Sequence, residues 1–237
     1  MPPTARDALA RLHDLGSPEA AALAARFFKT GPGQYGEGDV FLGIRVPVLR
    51  KLAGELRDLP EGEALALLGS DFHEARLLAL LILVRLASKG DQATKRRAYD
   101  LYLANTRSVN NWDLVDASAG PIVGGYLHDK DRAPLYDLAR SAGLWERRIA
   151  VVATQHFIAR HDFAETLALS EVLLGDRHDL IHKATGWMLR EVGKRDRAAL
   201  EGFLKAHHRA MPRTMLRYAI ERFEPDIRLK YLKGAIA

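Results

Sequence analysis

The 237-residue chain contains no cysteine. Disulfides, thiolate metal sites and cysteine nucleophiles are therefore excluded, and the composition fits a reducing compartment. No stretch reaches about 18 consecutive apolar residues, so no membrane-spanning helix is expected. The first residues, MPPTARDALARLHDLGSPEAAALAARF, lack the apolar centre of a secretion signal and read as an amphipathic helix pair. No alternating strand pattern of useful length occurs. The nine histidines show no metal-ligand spacing on one helix face, and neighbours such as His207 and His208 point to different faces. No metal and no cofactor is expected. The Gly-rich segment Thr30–Asp39, TGPGQYGEGD, lacks the Gly-Lys-Ser/Thr ending of a phosphate-binding P-loop. It reads as a surface connection that could also touch a ligand, since glycine permits close backbone approach.

What is present is helical period from end to end. Apolar residues recur at three and four spacings in Ala75–Leu86, Ile149–Ile158, Ile181–Val192 and Met215–Phe223. The breaks are short and carry turn residues, as at Lys89-Gly90-Asp91 and Ser141-Ala142-Gly143. Short breaks make successive helices antiparallel neighbours. Pro47 and Pro212 stand where a helix can open without losing a hydrogen bond. The apolar fraction of 48% is ample for a core at this length. With no linker visible, a single repeat domain spanning 1–237 is expected, acting as a monomer.

The most informative pattern is a ladder: Arg76, Trp112, Arg148, Lys183 and Arg217, in steps of 36, 36, 35 and 34 residues. A fixed period in this range signals stacked helical hairpins, whose equivalent positions face one way. The fold class expected is all-α, an α-solenoid of HEAT-like antiparallel repeats. Its ladder wall would be cationic and aromatic, a composition that a core avoids and a concave basic face for nucleic acid uses. The net charge of +5 and pI near 9.5 agree without demanding it.

Two segments carry candidate chemistry. In SVNNWDLVD, Asn110 reads as a helix cap and Asp113 as its capping-box partner. Asp116 lies one turn after Trp112 and shares its face. A carboxylate there repels phosphates, so a simple binding wall should avoid it; an ion pair with a neighbouring arginine is the structural alternative. In IHKATGWMLREVGK, Lys183, Trp187, Arg190 and Lys194 form one stripe, while Ile181, Ala184, Thr185, Met188 and Val192 form the buried one. Arg147 falls on the flank beside Arg148, and Arg213 adds charge near Arg217. Cations, two aromatic faces and one carboxylate suit the breaking of a glycosidic bond through an oxocarbenium ion. A carboxylate about 4 Å from the sugar cation supplies about 4 kcal/mol at an effective dielectric near 20. Each indole face adds roughly 0.5–2 kcal/mol.

At FLGIRVP (Phe41–Pro47), NNWDLVD (Asn110–Asp116), LWERRIAV (Leu144–Val151), IHKATGWMLREVGK (Ile181–Lys194) and MPRTMLRYAIERF (Met211–Phe223), the chain resembles the AlkD-like DNA alkylation repair glycosylases. The resemblance spans nearly the whole chain and implies HEAT-like repeats that remove N3- and N7-alkylated purines from duplex DNA. It implies Asp116 as catalytic carboxylate, Trp112 and Trp187 as rings against the damaged nucleotide's sugar, and Arg148 as a phosphate contact. Base release without insertion of the lesion into a pocket is also implied, a departure from base flipping. Lys183, Arg190, Lys194, Arg76, Arg213 and Arg217 are the further DNA-binding candidates. The partner is double-stranded DNA containing alkylated purines, and the location cytoplasmic, at the nucleoid in a bacterium. Two competing readings remain: a non-catalytic DNA-binding repeat protein, with salt-sensitive binding and no base release, and a protein-binding α-solenoid scaffold with negligible DNA affinity.

Overall fold

The structure is a computed structural model that describes residues 2–236. It is an all-α helical repeat; among the described residues the only β pairing is a single bridge between Val40 and Phe72. The chain divides into two compact units, one ending at Ser118 and the other beginning at Ala119.

The first unit holds α1 (Ala5–Leu15), α2 (Pro18–Phe27), α3 (Val46–Glu55), α4 (Glu61–Leu68), α5 (His73–Lys89), α6 (Gln92–Ala104) and all but the last residue of α7 (Trp112–Ala119). Helix starts follow the sequence: the Thr4 and Ser17 hydroxyls and the Asp91 carboxylate accept backbone N–H groups of the first turn. The pivot is α5. It packs against α1, α3, α4 and α6, and His73 to Leu83 is buried without a break. A helix surrounded on all sides must be apolar on all sides, which accounts for its weak amphipathicity.

The Gly-rich segment is drawn onto this helix. The backbone N–H of His73 donates to the Val40 carbonyl at 2.8 Å. The Glu74 carboxylate accepts the N–H groups of Leu42 (2.8 Å), Gly43 (2.8 Å) and Ile44 (3.2 Å). Gly43 has φ +81°, and a Cβ there would lie 2.3 Å from the Ser17 carbonyl oxygen, so both conformation and space require glycine.

The second unit holds α8 (Gly125–Leu127), α9 (Ala133–Ala139), α10 (Leu144–Ala153), α11 (Gln155–Ile158), α12 (Ala164–Val172), α13 (Asp179–Gly193), α14 (Arg197–His207), α15 (Arg213–Ala219) and α16 (Pro225–Lys233), preceded by one π-helical turn at Gly120–Gly124. Within it α10 packs on α13 and α13 on α15, while α9, α12 and α14 lie against these three. The expected buried stripe of α13 is realised: Ile181, Ala184, Thr185, Met188 and Val192 are all inaccessible. At Gly186 a Cβ would meet the Met215 carbonyl oxygen and the Tyr218 Cβ, each at 2.5 Å, so α13 and α15 touch there backbone to backbone. The helix expected at Ile149–Ile158 is broken at Thr154, whose hydroxyl turns back to the Val151 carbonyl at 2.7 Å.

Candidate active site

Trp112 is the first residue of α7, and Asp116 follows one turn later on the same face. Both are half-buried. The Trp112 indole stacks on Phe28, with centroids 5.1 Å apart and planes 17° from parallel. Phe27 meets its edge at 5.9 Å. Phe27 and Leu23, one turn apart on α2, are 64% and 60% exposed, so the indole continues into an uncovered apolar surface. At the far end of α7, the Ser118 hydroxyl donates to the Leu114 carbonyl and lies 3.1 Å from the Tyr102 hydroxyl. Tyr102 is fully buried, and that burial pushes its phenol well above the usual range, with Asp116 adding in the same direction and the Ser118 bond opposing.

Sequence reading missed what holds the start of α7. Asp39, at the end of the Gly-rich segment, is buried and receives three donors. These are Arg76 in a close ion pair, Asn111 Nδ2 at 3.1 Å and His73 Nδ1 at 2.9 Å. The other ring nitrogen of His73, Nε2, lies 2.8 Å from Asp113 Oδ2. Asp113 is therefore not a capping-box residue; it is a half-buried partner of His73. Both acceptors are carboxylates, so both ring nitrogens must donate, which requires the imidazolium. Burial opposes that charge, but the hydrogen bonds from Asp113 and Asp39, and then their negative charges, prevail and raise the His73 pKa to about 9. Burial likewise opposes the Asp39 carboxylate, yet the His73 bond, the His73 and Arg76 charges and the Asn111 bond hold its pKa below the ordinary value. No group of His, Asp and Glu among the described residues has the arrangement of a metal site. The available signal was weak: an Asp closing the Gly run, and a His three residues before a ladder Arg.

Arg76 is corrected. It is only 5% exposed, and besides Asp39 it donates through Nη1 to the carbonyls of Ser70 (2.7 Å) and Asp71 (3.0 Å). It is the fourth residue of α5, whereas Arg148, Lys183 and Arg217 are the fifth residues of α10, α13 and α15. The position of α5 in register with them is Leu77, which is buried. The reading of Arg148 as a residue on an open wall is corrected too. It is 5% exposed, and its Nη1 donates to the Leu180 carbonyl at 2.6 Å, bracing α10 against the first turn of α13.

The remaining cations of the second unit are accessible in different degrees. Lys183 pairs with Asp179 at 2.8 Å, one turn back on α13. Arg190 engages Glu221 and Glu191, and Lys194 pairs with Glu191 at 2.6 Å. These partners neutralise part of the stripe beside the half-buried Trp187. Arg213 and Arg217 are exposed, and no ion pair among the described residues engages either.

Fold and site together define an all-α helical-repeat protein whose first unit presents an aromatic face beside a carboxylate. The sequence model of the family described as DNA alkylation repair enzyme matches residues 8–223, and the chain belongs to that family, which places it in DNA alkylation repair. Among solved structures it is similar to a predicted DNA alkylation repair enzyme from Enterococcus faecalis, with 17% identity, a TM-score of 0.67, and coverage of 89% of this chain and 97% of that one. It is also similar to smu.31 from Streptococcus mutans UA159, with 16% identity, a TM-score of 0.50, and coverage of 98% and 99%. At these identities the likeness establishes the shared fold. No curated protein matches the chain.

Proposed function

We propose that the chain is a monofunctional DNA glycosylase, working as a monomer and a single repeat domain, that hydrolyses the N-glycosidic bond of cationic N3- and N7-alkylated purines in duplex DNA. The observation that carries this reading is the placement of Asp116 one turn after Trp112, midway along α7 and on the face of the stacked indole. A surface meant only to attract phosphates gains nothing from a carboxylate there.

An alkylated purine carries positive charge and departs as a neutral base, taking the electron pair of the C1′–N bond. No protein acid is needed. The deoxyribose is left as an oxocarbenium ion, and Asp116 stabilises it while orienting a water molecule. That water adds to C1′ and loses its proton to solvent. Trp112 and Trp187 offer electron-rich faces to the developing sugar cation. Lys183, Arg190, Lys194, Arg213 and Arg217 hold phosphates and position the duplex without reading its sequence. Arg148 supports this surface from beneath.

The deciding experiment is incubation with duplex DNA containing 7-methylguanine, followed by chromatography of released bases. Asp116→Asn is expected to lower excision at least ~100-fold, about 2.7 kcal/mol, while duplex binding survives. Undiminished release by that variant removes Asp116 from the mechanism; DNA binding by the unaltered protein without base release favours the non-catalytic reading.

A further inference from the structure

Both neighbours of Trp112 lead back to one residue. Asp39 Oδ2 receives Asn111 Nδ2 directly at 3.1 Å, and it reaches Asp113 through His73 by contacts of 2.9 and 2.8 Å. The Trp112 side chain leads to the same place by another route. Its indole lies on Phe28 (5.1 Å), Phe28 on Phe41 (4.9 Å, 20°), and Phe41 on the His73 ring (4.4 Å, 23°). The contacts close a circuit: His73, Asp113, Trp112, Phe28, Phe41 and back to His73. Stability alone does not account for it, because buried ionic groups are often matched by apolar residues of equal volume. The second oxygen of Asp113 is buried without a hydrogen-bond partner, so that carboxylate is oriented through His73.

We infer that Asp39, His73 and Asp113 are positioning residues that set the rotation of the first turn of α7, and with it the placement of Trp112 and Asp116, with the Gly-rich segment serving as the anchor of this bridge. The inference rests on the glycosylase reading of Asp116. It gives the segment 30–39 a role, because its backbone brings Asp39 to the start of α7. Gly36 makes this approach possible, since a Cβ there would lie 2.4 Å from the Phe28 carbonyl oxygen and 3.3 Å from Asn111 Nδ2. Displacement of reacting groups by about 1 Å costs up to ~100-fold in rate, so a loosened bridge reads out as slower chemistry.

The groups that face His73 are Asp39 from the segment and Asp113 from α7, with Arg76 held on Asp39 and the rings of Phe28 and Phe41 beside it. Glu74, the next residue along α5, is turned to the N–H groups of Leu42, Gly43 and Ile44. The imidazole of the bridge, with its pKa raised to about 9, changes charge in mildly alkaline solution.

The test measures single-turnover excision of 7-methylguanine from duplex DNA between pH 7 and 10, alongside the indole N–H resonance of Trp112, assigned by its loss in Trp112→Phe. His73→Gln is expected to slow excision at least ~10-fold at neutral pH, with affinity for unmodified duplex within about twofold. The wild-type rate and the Trp112 resonance should both change with a midpoint near 9, and both should be flat in the variant. A generally weakened fold lowers the amount of active protein and leaves that pH profile in place. His73→Gln with the wild-type rate and profile overturns the inference. If His73→Gln does not fold, Asp39→Asn takes its place: slower excision at neutral pH with duplex affinity retained is expected, and, since His73 still titrates with one carboxylate fewer beside it, the midpoint should fall below that of wild type; a wild-type rate and midpoint overturn the inference. If no base is released, or Asp116→Asn excises normally, the glycosylase reading fails, and the resonance decides the bridge by itself. Movement near pH 9 in the wild type supports it, and a stationary signal overturns it.

Discussion

Arg76 and Arg147, two repeats apart, make the same pair of hydrogen bonds. Each is the fourth residue of its helix, and each donates through Nη1 to the carbonyls five and six residues before it: Asp71 and Ser70 for Arg76, Ala142 and Ser141 for Arg147. Each also pairs with a carboxylate well removed in the chain, Asp39 and Asp176. His182, the fourth residue of α13, repeats half of the motif by bonding the Asp176 carbonyl at 2.6 Å. A structural ladder therefore runs one residue ahead of the fifth positions occupied by Arg148, Lys183 and Arg217. It satisfies the carbonyls of the turn before each helix, which would otherwise be left without partners.

This assignment predicts opposite behaviour for two arginines that look alike in the sequence. Arg76→Ala leaves Asp39 buried without its guanidinium, at a cost of roughly 3–5 kcal/mol. Urea denaturation should show the loss as a lower midpoint with little change in slope. The salt dependence of DNA binding by the folded variant should match wild type. A variant of normal stability but weaker salt dependence would return Arg76 to the binding surface.

Arg213 and Arg217 should do the reverse. Both are exposed on α15 and carry no ion pair among the described residues. Replacing either by alanine is expected to leave the urea midpoint unchanged. If each contacts one phosphate, the slope of log K against log salt should fall by about 1 per substitution. Unchanged slopes in both variants would show that duplex DNA does not reach this end of the second unit.

How much of this was legible beforehand depends on what each signal measures. The helical period is a local property, and it located α5, α13 and α15 to within a few residues, while its span Ile149–Ile158 ran across the break between α10 and α11. The repeat step is also local, but its register is uncertain by one residue, because helix starts shift with their turns. That one-residue uncertainty exchanged Leu77 for Arg76. A helix turns by about a quarter of a circle per residue, so a slip of one moves a side chain from wall to seam. Trp112 is out of register as well, being the first residue of α7; the position in line with the fifth residues is Asp116, and the one-turn spacing within the helix keeps both on one face. The His73 bridge was invisible for another reason. It joins residues from the Gly-rich segment, α5 and α7, and no sequence period connects them.

Trp187 tests the aromatic half of the mechanism. The contact at Gly186 sets how closely α13 approaches α15, and so where the next residue's backbone lies. Trp187→Leu keeps apolar volume on this half-buried position but removes the electron-rich face. A cation–π contribution of roughly 0.5–2 kcal/mol corresponds to an excision rate lower by about 2- to 30-fold. The expected signature is a fall in single-turnover rate with unmodified-duplex affinity retained. Loss of affinity with an unchanged rate would make Trp187 a duplex contact instead.

The bridge also makes stability depend on pH in a direction that can be stated. The ordinary imidazole pKa is 6.5, and in the fold that of His73 is about 9. The native state holds the proton more tightly, so the stabilisation is complete below pH 6.5. It declines above that value and is lost as pH rises through 9. Its size is on the order of 3 kcal/mol. Asp39 acts in the other sense: its depressed pKa stabilises the fold above the ordinary carboxylate value and stops doing so as pH falls through the folded one. Urea midpoints measured from pH 5.5 to 10 should therefore be high on the acidic side and decline steadily from about pH 6.5. In His73→Gln the alkaline decline should disappear, leaving a lower and flatter curve. If the variant declines as steeply as wild type over the same interval, the titrating group is another residue, and His73 is not held as a cation between Asp39 and Asp113.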